Sequence, residues 1–145
     1  MKICIVVSNY YPKISNELVN GAIKTLKKNG VRNYKKIYAP GIFEIPAIIS
    51  RNINNFDSFI ALGCVIKGKT PHFNFISSAV NHGIINLSIL HRKPIGNGII
   101  TCLNKKQALE RSNPLQKNKG GEAAKAILSV LGILKNDSKW SLTKS

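Results

Sequence analysis

Four strand-length runs, three of them apolar and each followed by a stretch of helical periodicity, constrain this chain more than any other feature. Residues 2–8, 33–39, 58–66 and 95–103 have strand length and are rich in Ile, Val and other strand-forming side chains. Between the first two, Ile14, Leu18, Ala22 and Leu26 recur at helical spacing and predict a helix that stops at Asn29-Gly30. Three further helices are expected downstream: a short apolar one over Ala47–Ile53, a long one from Pro71 to Leu90, and a short one over Lys105–Ser112. The long one carries Phe75, Ala79, His82 and Ile89 on one stripe. A last helix begins at Lys119, with Ala123, Ile127, Val130 and Leu134 as its apolar face. Strands linked through helices run parallel, and a parallel sheet needs cover on both faces. The expected fold is therefore α/β, a three-layer α/β/α sandwich on a four-stranded parallel sheet. One domain spans residues 1–145, and the polar tail over 136–145 is expected to fray.

Composition narrows the class. At 145 residues and 43% hydrophobic content, one core can be filled. No run is long enough to span a membrane. Met1 to Val7 has a short apolar core and no cleavage pattern, so it reads as a first strand rather than a signal peptide. Cys4, Cys64 and Cys102 sit in apolar runs without metal-ligand spacing, which suits buried thiols in a reducing cytoplasm. The balance of 22 Lys+Arg against 6 Asp+Glu raises the question of nucleic acid. The charges are scattered as short pairs, such as Lys27-Lys28 and Lys35-Lys36, without interleaved aromatics for base stacking. They read as a solvated basic surface. Acids are scarce, so Glu44, Glu110 and Glu122 stand out, each in a stretch with other marks of function.

Ligands of open parallel sheets bind outside the carboxyl ends of the strands. The first strand leads into Asn9-Tyr10-Tyr11, and the second into Pro40-Gly41-Ile42-Phe43-Glu44-Ile45-Pro46. The third leads into Gly68-Lys69-Thr70-Pro71-His72, and the fourth carries Asn97 between Gly96 and Gly98. Thr70-Pro71 is a helix-start signal, which would aim the N–H groups near Gly68, Lys69 and Thr70 at an anion. His72 then lies in the first turn, a proton-transferring group beside an anion cradle. Gly63 to Thr70 also fits the G-x-x-x-x-G-K-[ST] pattern of phosphate-binding loops. Here the pattern misleads: Cys64-Val65-Ile66 is apolar and partly β-branched and should continue the strand, and no Asp stands at another strand end to hold a metal.

Taken together, these motifs resemble the 6,7-dimethyl-8-ribityllumazine synthase family. The blocks that carry the resemblance are Pro40–Pro46, Gly63–Phe73, Gly96–Thr101, and Glu110-Arg111 followed by Asn118–Ala124, in family order over nearly the whole chain. The resemblance implies a flavodoxin-like fold and a transferase that needs no metal or cofactor. It would join 5-amino-6-(ribitylamino)uracil to 3,4-dihydroxy-2-butanone 4-phosphate in the cytoplasm, ahead of riboflavin synthase. It also implies roles residue by residue. Tyr10 takes the place of an aromatic on the pyrimidine; Ile42, Phe43, Val65 and Ile66 offer backbone groups to the ring and ribityl chain; Glu44 accepts from ribityl hydroxyls. Gly68, Lys69, Thr70 and Arg111 hold the phosphate, and His72 shuttles protons. Asn97, Arg111 and Lys119 reach the site from a neighbouring subunit, so the site should exist only in an oligomer, a pentamer being favoured. Glu122 either positions Arg111 or Lys119 or serves the helix start. Position 69 is commonly Glu in the family and position 97 often aromatic, whereas this chain has Lys69 and Asn97. The chain also starts almost directly at its first strand, without the longer leading segment of many relatives, a missing tie that favours a pentamer over a closed shell.

Overall fold

The computed structural model describes residues 1–68 and 72–135, with His72 described by its backbone alone. The helix start at Thr70-Pro71 and the tail at 136–145 lie outside the described residues. Along the chain run β1 (Ile3–Ser8), α1 (Pro12–Lys28), β2 (Tyr34–Ala39), a 3-10 turn (Ile42–Glu44), α2 (Ile45–Arg51) and β3 (Ser58–Ile66). They are followed by α3 (His72–His91), β4 (Ile95–Cys102), α4 (Lys105–Ser112) and α5 (Lys119–Val130). The sheet has order β2-β1-β3-β4 and every pairing is parallel, as expected for a flavodoxin-like sandwich. The chain turns from β1 to β2 on one side and crosses back to β3 on the other. The loops after β1 and β3 therefore diverge, which opens the crevice where such sheets take ligands.

Strand periodicity divides the core. Ile3, Ile5 and Val7 point to one face and pack with Ile14, Leu18 and Leu26 of α1 and Ala124, Ile127 and Leu128 of α5. Cys4 and Val6 point to the other, against Ile45 and Ile49 of α2 and Val80 and Ile84 of α3. Burial on both faces is why β1 reads as an unbroken apolar run rather than an alternating one. The third strand stays extended through Cys64, Val65 and Ile66, so the first half of the segment that mimics a phosphate-binding loop is sheet.

Two helix faces differ from expectation. On α3 the packed residues are Ile76, Val80, Ile84 and Leu87, while Phe75, Ala79, His82 and Ile89 are exposed on the chain. Apolar residues occur on both sides of this helix, so spacing alone could not select the inner face. On α5 the helix ends at Val130, which is exposed; Leu134 packs on the core from beyond the helix, and Ala124 and Leu128 complete the buried face. The second helix also begins earlier than Ala47, at Ile45, and ends at Arg51, short of Ile53.

The last helix sits unusually close to its neighbours. A Cβ at Gly120 would overlap the carbonyl of Leu18 on α1, and one at Gly96 would overlap the carbonyl of Ala123. The glycines of Gly96-Asn97-Gly98 let α5 lie directly on the strand. Gly120→Ala should destabilise the protein by about 1–3 kcal/mol or more, because backbone rather than a pliable side chain blocks the new methyl. Urea denaturation checks this; an unchanged midpoint would contradict the packing described.

Candidate active site

Two groups of the expected site residues emerge, on different parts of the chain. The first gathers at the carboxyl ends of β1, β2 and β3. Tyr10, just past β1, is 71% exposed and meets Tyr11 edge-on with ring centroids 4.9 Å apart. Pro12 opens α1 at its first turn, and the Ser15 hydroxyl donates to the Ser8 carbonyl, which fixes the bend that projects these rings. After β2, the 3-10 turn buries Ile42 and leaves Phe43 62% exposed, with Glu44 exposed beside it. Ile42 can therefore offer a ligand its backbone, not its side chain. Val65 and Ile66 are half-buried at the end of β3, followed by exposed Gly68. Lys69, Thr70 and the His72 side chain lie outside the described residues; the backbone of His72 starts α3.

The second group lines a cavity of about 590 Å³ between β4, α4 and α5, walled by Asn97, Ile99, Arg111, Lys119 and Glu122 among others. None of the first group lines it. Here one expectation is corrected: Asn97 is not at a carboxyl end but third in β4, opposite Ala61. It belongs to the exposed edge of the sheet. Its carbonyl oxygen accepts the Ile99 N–H at 3.1 Å, and its amide donates to Asn81 Oδ1 on α3 at 2.8 Å. Further along the strand, Arg111 Nη1 donates to the Thr101 carbonyl at 2.8 Å. Two polar side chains thus occupy backbone groups that an edge strand would otherwise present to solvent.

Local sequence explains how the second group is held. Asn104 accepts the Gln107 N–H at 2.8 Å while Gln107 Oε1 accepts the Leu103 N–H at 2.9 Å. This reciprocal capping sets the phase of α4 and so of Arg111 in its last turn. Asn118 adopts a left-handed conformation (φ 48°) and accepts the Gly121 N–H at 3.1 Å, starting α5. Lys119 and Glu122 then pair at 3.0 Å across one turn, so Glu122 holds Lys119 while also standing in the first turn of α5, where an acid suits the helix start. The pair is exposed and contributes at most about 1 kcal/mol, so it orients more than it stabilises. Asn81, Asn104 and Asn118 were missed by sequence reasoning. The Asn-x-x-Gln spacing at 104–107 was the one readable signal among them.

Beneath the first group lie neutral thiols. Burial, then the adjacent Cys102 thiol that also hydrogen-bonds to it, pushes Cys64 up to about 12. Burial likewise raises Cys4 to about 11, with Lys35 and Lys2 opposing. Tyr11 is raised by burial first, and then by Tyr10 and Cys64. A group that titrates later in the folded state stabilises it fully below its unfolded value, here 9.0, and less as pH rises through its folded value. Stability should accordingly fall between pH 9 and the range of about 11 to 12, and fall less in Cys64→Ala. Denaturation midpoints across that range test this; an identical alkaline decline in Cys64→Ala would refute it.

A parallel 2-1-3-4 sheet defines a flavodoxin-like protein, with aromatic and carboxylate side chains at its carboxyl ends and a basic cavity at its β4 edge. The 6,7-dimethyl-8-ribityllumazine synthase family model matches residues 1–135. The chain is 43% identical to the 6,7-dimethyl-8-ribityllumazine synthase of Buchnera aphidicola, over 91% of this chain and 86% of that protein. It is 40% identical to that of Bartonella tribocorum (92% and 89%) and 35% identical to that of Cutibacterium acnes (92% and 82%). The chain belongs to the 6,7-dimethyl-8-ribityllumazine synthase family.

Proposed function

We propose that the protein is a transferase of riboflavin biosynthesis that condenses 5-amino-6-(ribitylamino)uracil with 3,4-dihydroxy-2-butanone 4-phosphate, releasing phosphate and water. Riboflavin synthase would take its product, and the cytoplasm would be its compartment; no described helix is long and apolar enough to cross a membrane. The observation that carries this reading, beyond family membership, is the division of the site residues into two groups on one chain. Each group alone is half a site. Tyr10 and Phe43 offer exposed rings to a pyrimidine, and Glu44 an acceptor to a polyol, with backbone groups of Ile42, Val65 and Ile66 alongside. Arg111, Lys119 and Asn97 offer the cation and amide contacts that a phosphate and a uracil edge require.

The halves meet if a second copy places its β4 edge against the carboxyl ends of the first. Such a contact is head-to-tail, and it closes as a ring where the rotation between successive copies brings the last onto the first. An unpartnered apolar face supports it: Phe75, Ile85, Ile89 and Leu90 are all exposed on α3. At +16 per chain, packing rings into a larger shell meets repulsion screened over only about 8–10 Å at physiological salt, so the pentamer is favoured. Light scattering should show a ring-sized particle; fully active monomers would contradict the shared site.

Within that assembly Arg111 binds rather than reacts. The Thr101 carbonyl holds one of its nitrogens, leaving a fixed fork of N–H groups for phosphate, together with Gly68, Lys69 and Thr70. The contact should be worth about 1.5–3 kcal/mol. Arg111→Ala should therefore raise KM for the phosphate substrate roughly ten- to a hundredfold. His72 carries protons during imine formation and loss of the leaving groups. General acid–base catalysis supplies about 10²–10⁴-fold, but an amine attacking a ketone gains most from being held beside it, and water relays some protons. His72→Ala should lower kcat by about a hundredfold or less, with little change in that KM. Steady-state kinetics separate the two. An unchanged KM in Arg111→Ala, or complete loss of turnover in His72→Ala, would overturn the division of labour.

A further inference from the structure

A second basic cavity, of about 270 Å³, lies where α1 crosses α5; of the residues discussed above only Asn118, the cap of α5, lines it. Lys24 and Lys28 stand one turn apart on α1, Lys125 comes from α5, and Lys135 from the segment beyond it. Among the described residues, no Asp or Glu lines the cavity. Its floor is fixed rather than floppy: Asn29 donates to the Thr25 carbonyl at 2.9 Å and accepts the Lys135 N–H at 2.8 Å across 106 positions of sequence. Helix-dipole pairing accounts for Lys28, in the last turn of α1. It does not account for Lys24, Lys125 or Lys135. Lys135 carries its ammonium beside Gly30, at the edge of the cavity, while Lys24, Lys28 and Lys125 leave three like charges around one concavity, which repel each other unless an anion sits among them.

We propose that this cavity is an anion site for a compact polyphosphate, a ligand of several linked phosphoryl groups. Size and chemistry both point there. The volume falls below the roughly 300–1,000 Å³ that encloses a drug-sized molecule. Among the described residues no aromatic side chain lines it to offer a nucleobase a stacking surface. Lysines suit phosphoryl groups as point charges without demanding one geometry. The site stands apart from the condensation chemistry, and it holds or fails independently of that reading.

Calorimetry of the intact protein with inorganic tripolyphosphate at low salt tests the proposal. Binding tighter than about 1 mM is expected, weakened about tenfold or more in the Lys24→Gln, Lys125→Gln double variant. The Lys24→Arg, Lys125→Arg variant should retain it, which excludes a packing effect. Arg111→Ala should also retain it, since its cavity is a different one. Three results would overturn the proposal: no binding, binding lost in Arg111→Ala but kept in the double Gln variant, or an RNA oligomer that binds these lysines without competition from tripolyphosphate. The double Gln variant should keep its fold by circular dichroism and its condensation rate. A parallel loss of both would mark these lysines as structural and refute the assignment.

Discussion

Much of this structure depends on how closely α5 can approach its neighbours. Helix and strand usually keep a side-chain layer between them, but at Gly96 and Gly120 the layer is absent and backbone meets backbone. The last helix is thereby clamped between α1 and β4. Its first turn carries Lys119 and Glu122, and its clamped position forms one wall of the cavity that holds Asn97 and Arg111. A side chain at either glycine would push the wall outward and open the cavity. The packing of the fold and the shape of the second half-site are one constraint.

The same edge shows how a strand can be protected and functional at once. The outer side of β4 would invite another strand. Asn97 and Arg111 answer two of its backbone groups and are themselves pinned by doing so. A guanidinium fixed at one nitrogen loses less freedom when a phosphate arrives, so part of the ordering cost is met on folding. Lys119 is steadied in a similar way by Glu122, through an exposed pair whose value lies in direction rather than strength.

The fold was legible because parallel sheets leave a plain mark: β1 and β3, buried on both faces, read as continuous apolar runs. The helix faces were less legible. Amphipathic α1 was readable from Ile14, Leu18, Ala22 and Leu26, all of them buried. By contrast α3 is apolar on both sides, with Phe75 and Ile89 outside and Val80 and Ile84 inside. A helix with apolar residues on two faces carries two superimposed patterns, and spacing cannot tell which of them the chain itself buries. The first half-site was readable because strand ends announce it. In the second, Asn97 stood out between its glycines, but that Arg111 and Lys119 share a cavity with it came only from the family resemblance, since they lie on separate elements that pack together at the sheet edge. The hydrogen bonds of Asn81 and Asn118 depend on tertiary approach, which no local pattern records.

The central claim is that each working site takes one half from each of two subunits. Two variants test it together: Glu44→Gln with Phe43→Ala to damage the half at the strand ends, and Arg111→Ala with Lys119→Ala to damage the half at the β4 edge. Each alone should be nearly inactive at low substrate. Co-expressed in equal amounts and assembled at random, mixed rings should regain about a quarter of the native sites, since each shared interface draws its halves independently. Recovery to that level supports the shared site. Mixed assemblies no more active than the two variants measured separately would show that each site lies within a single chain.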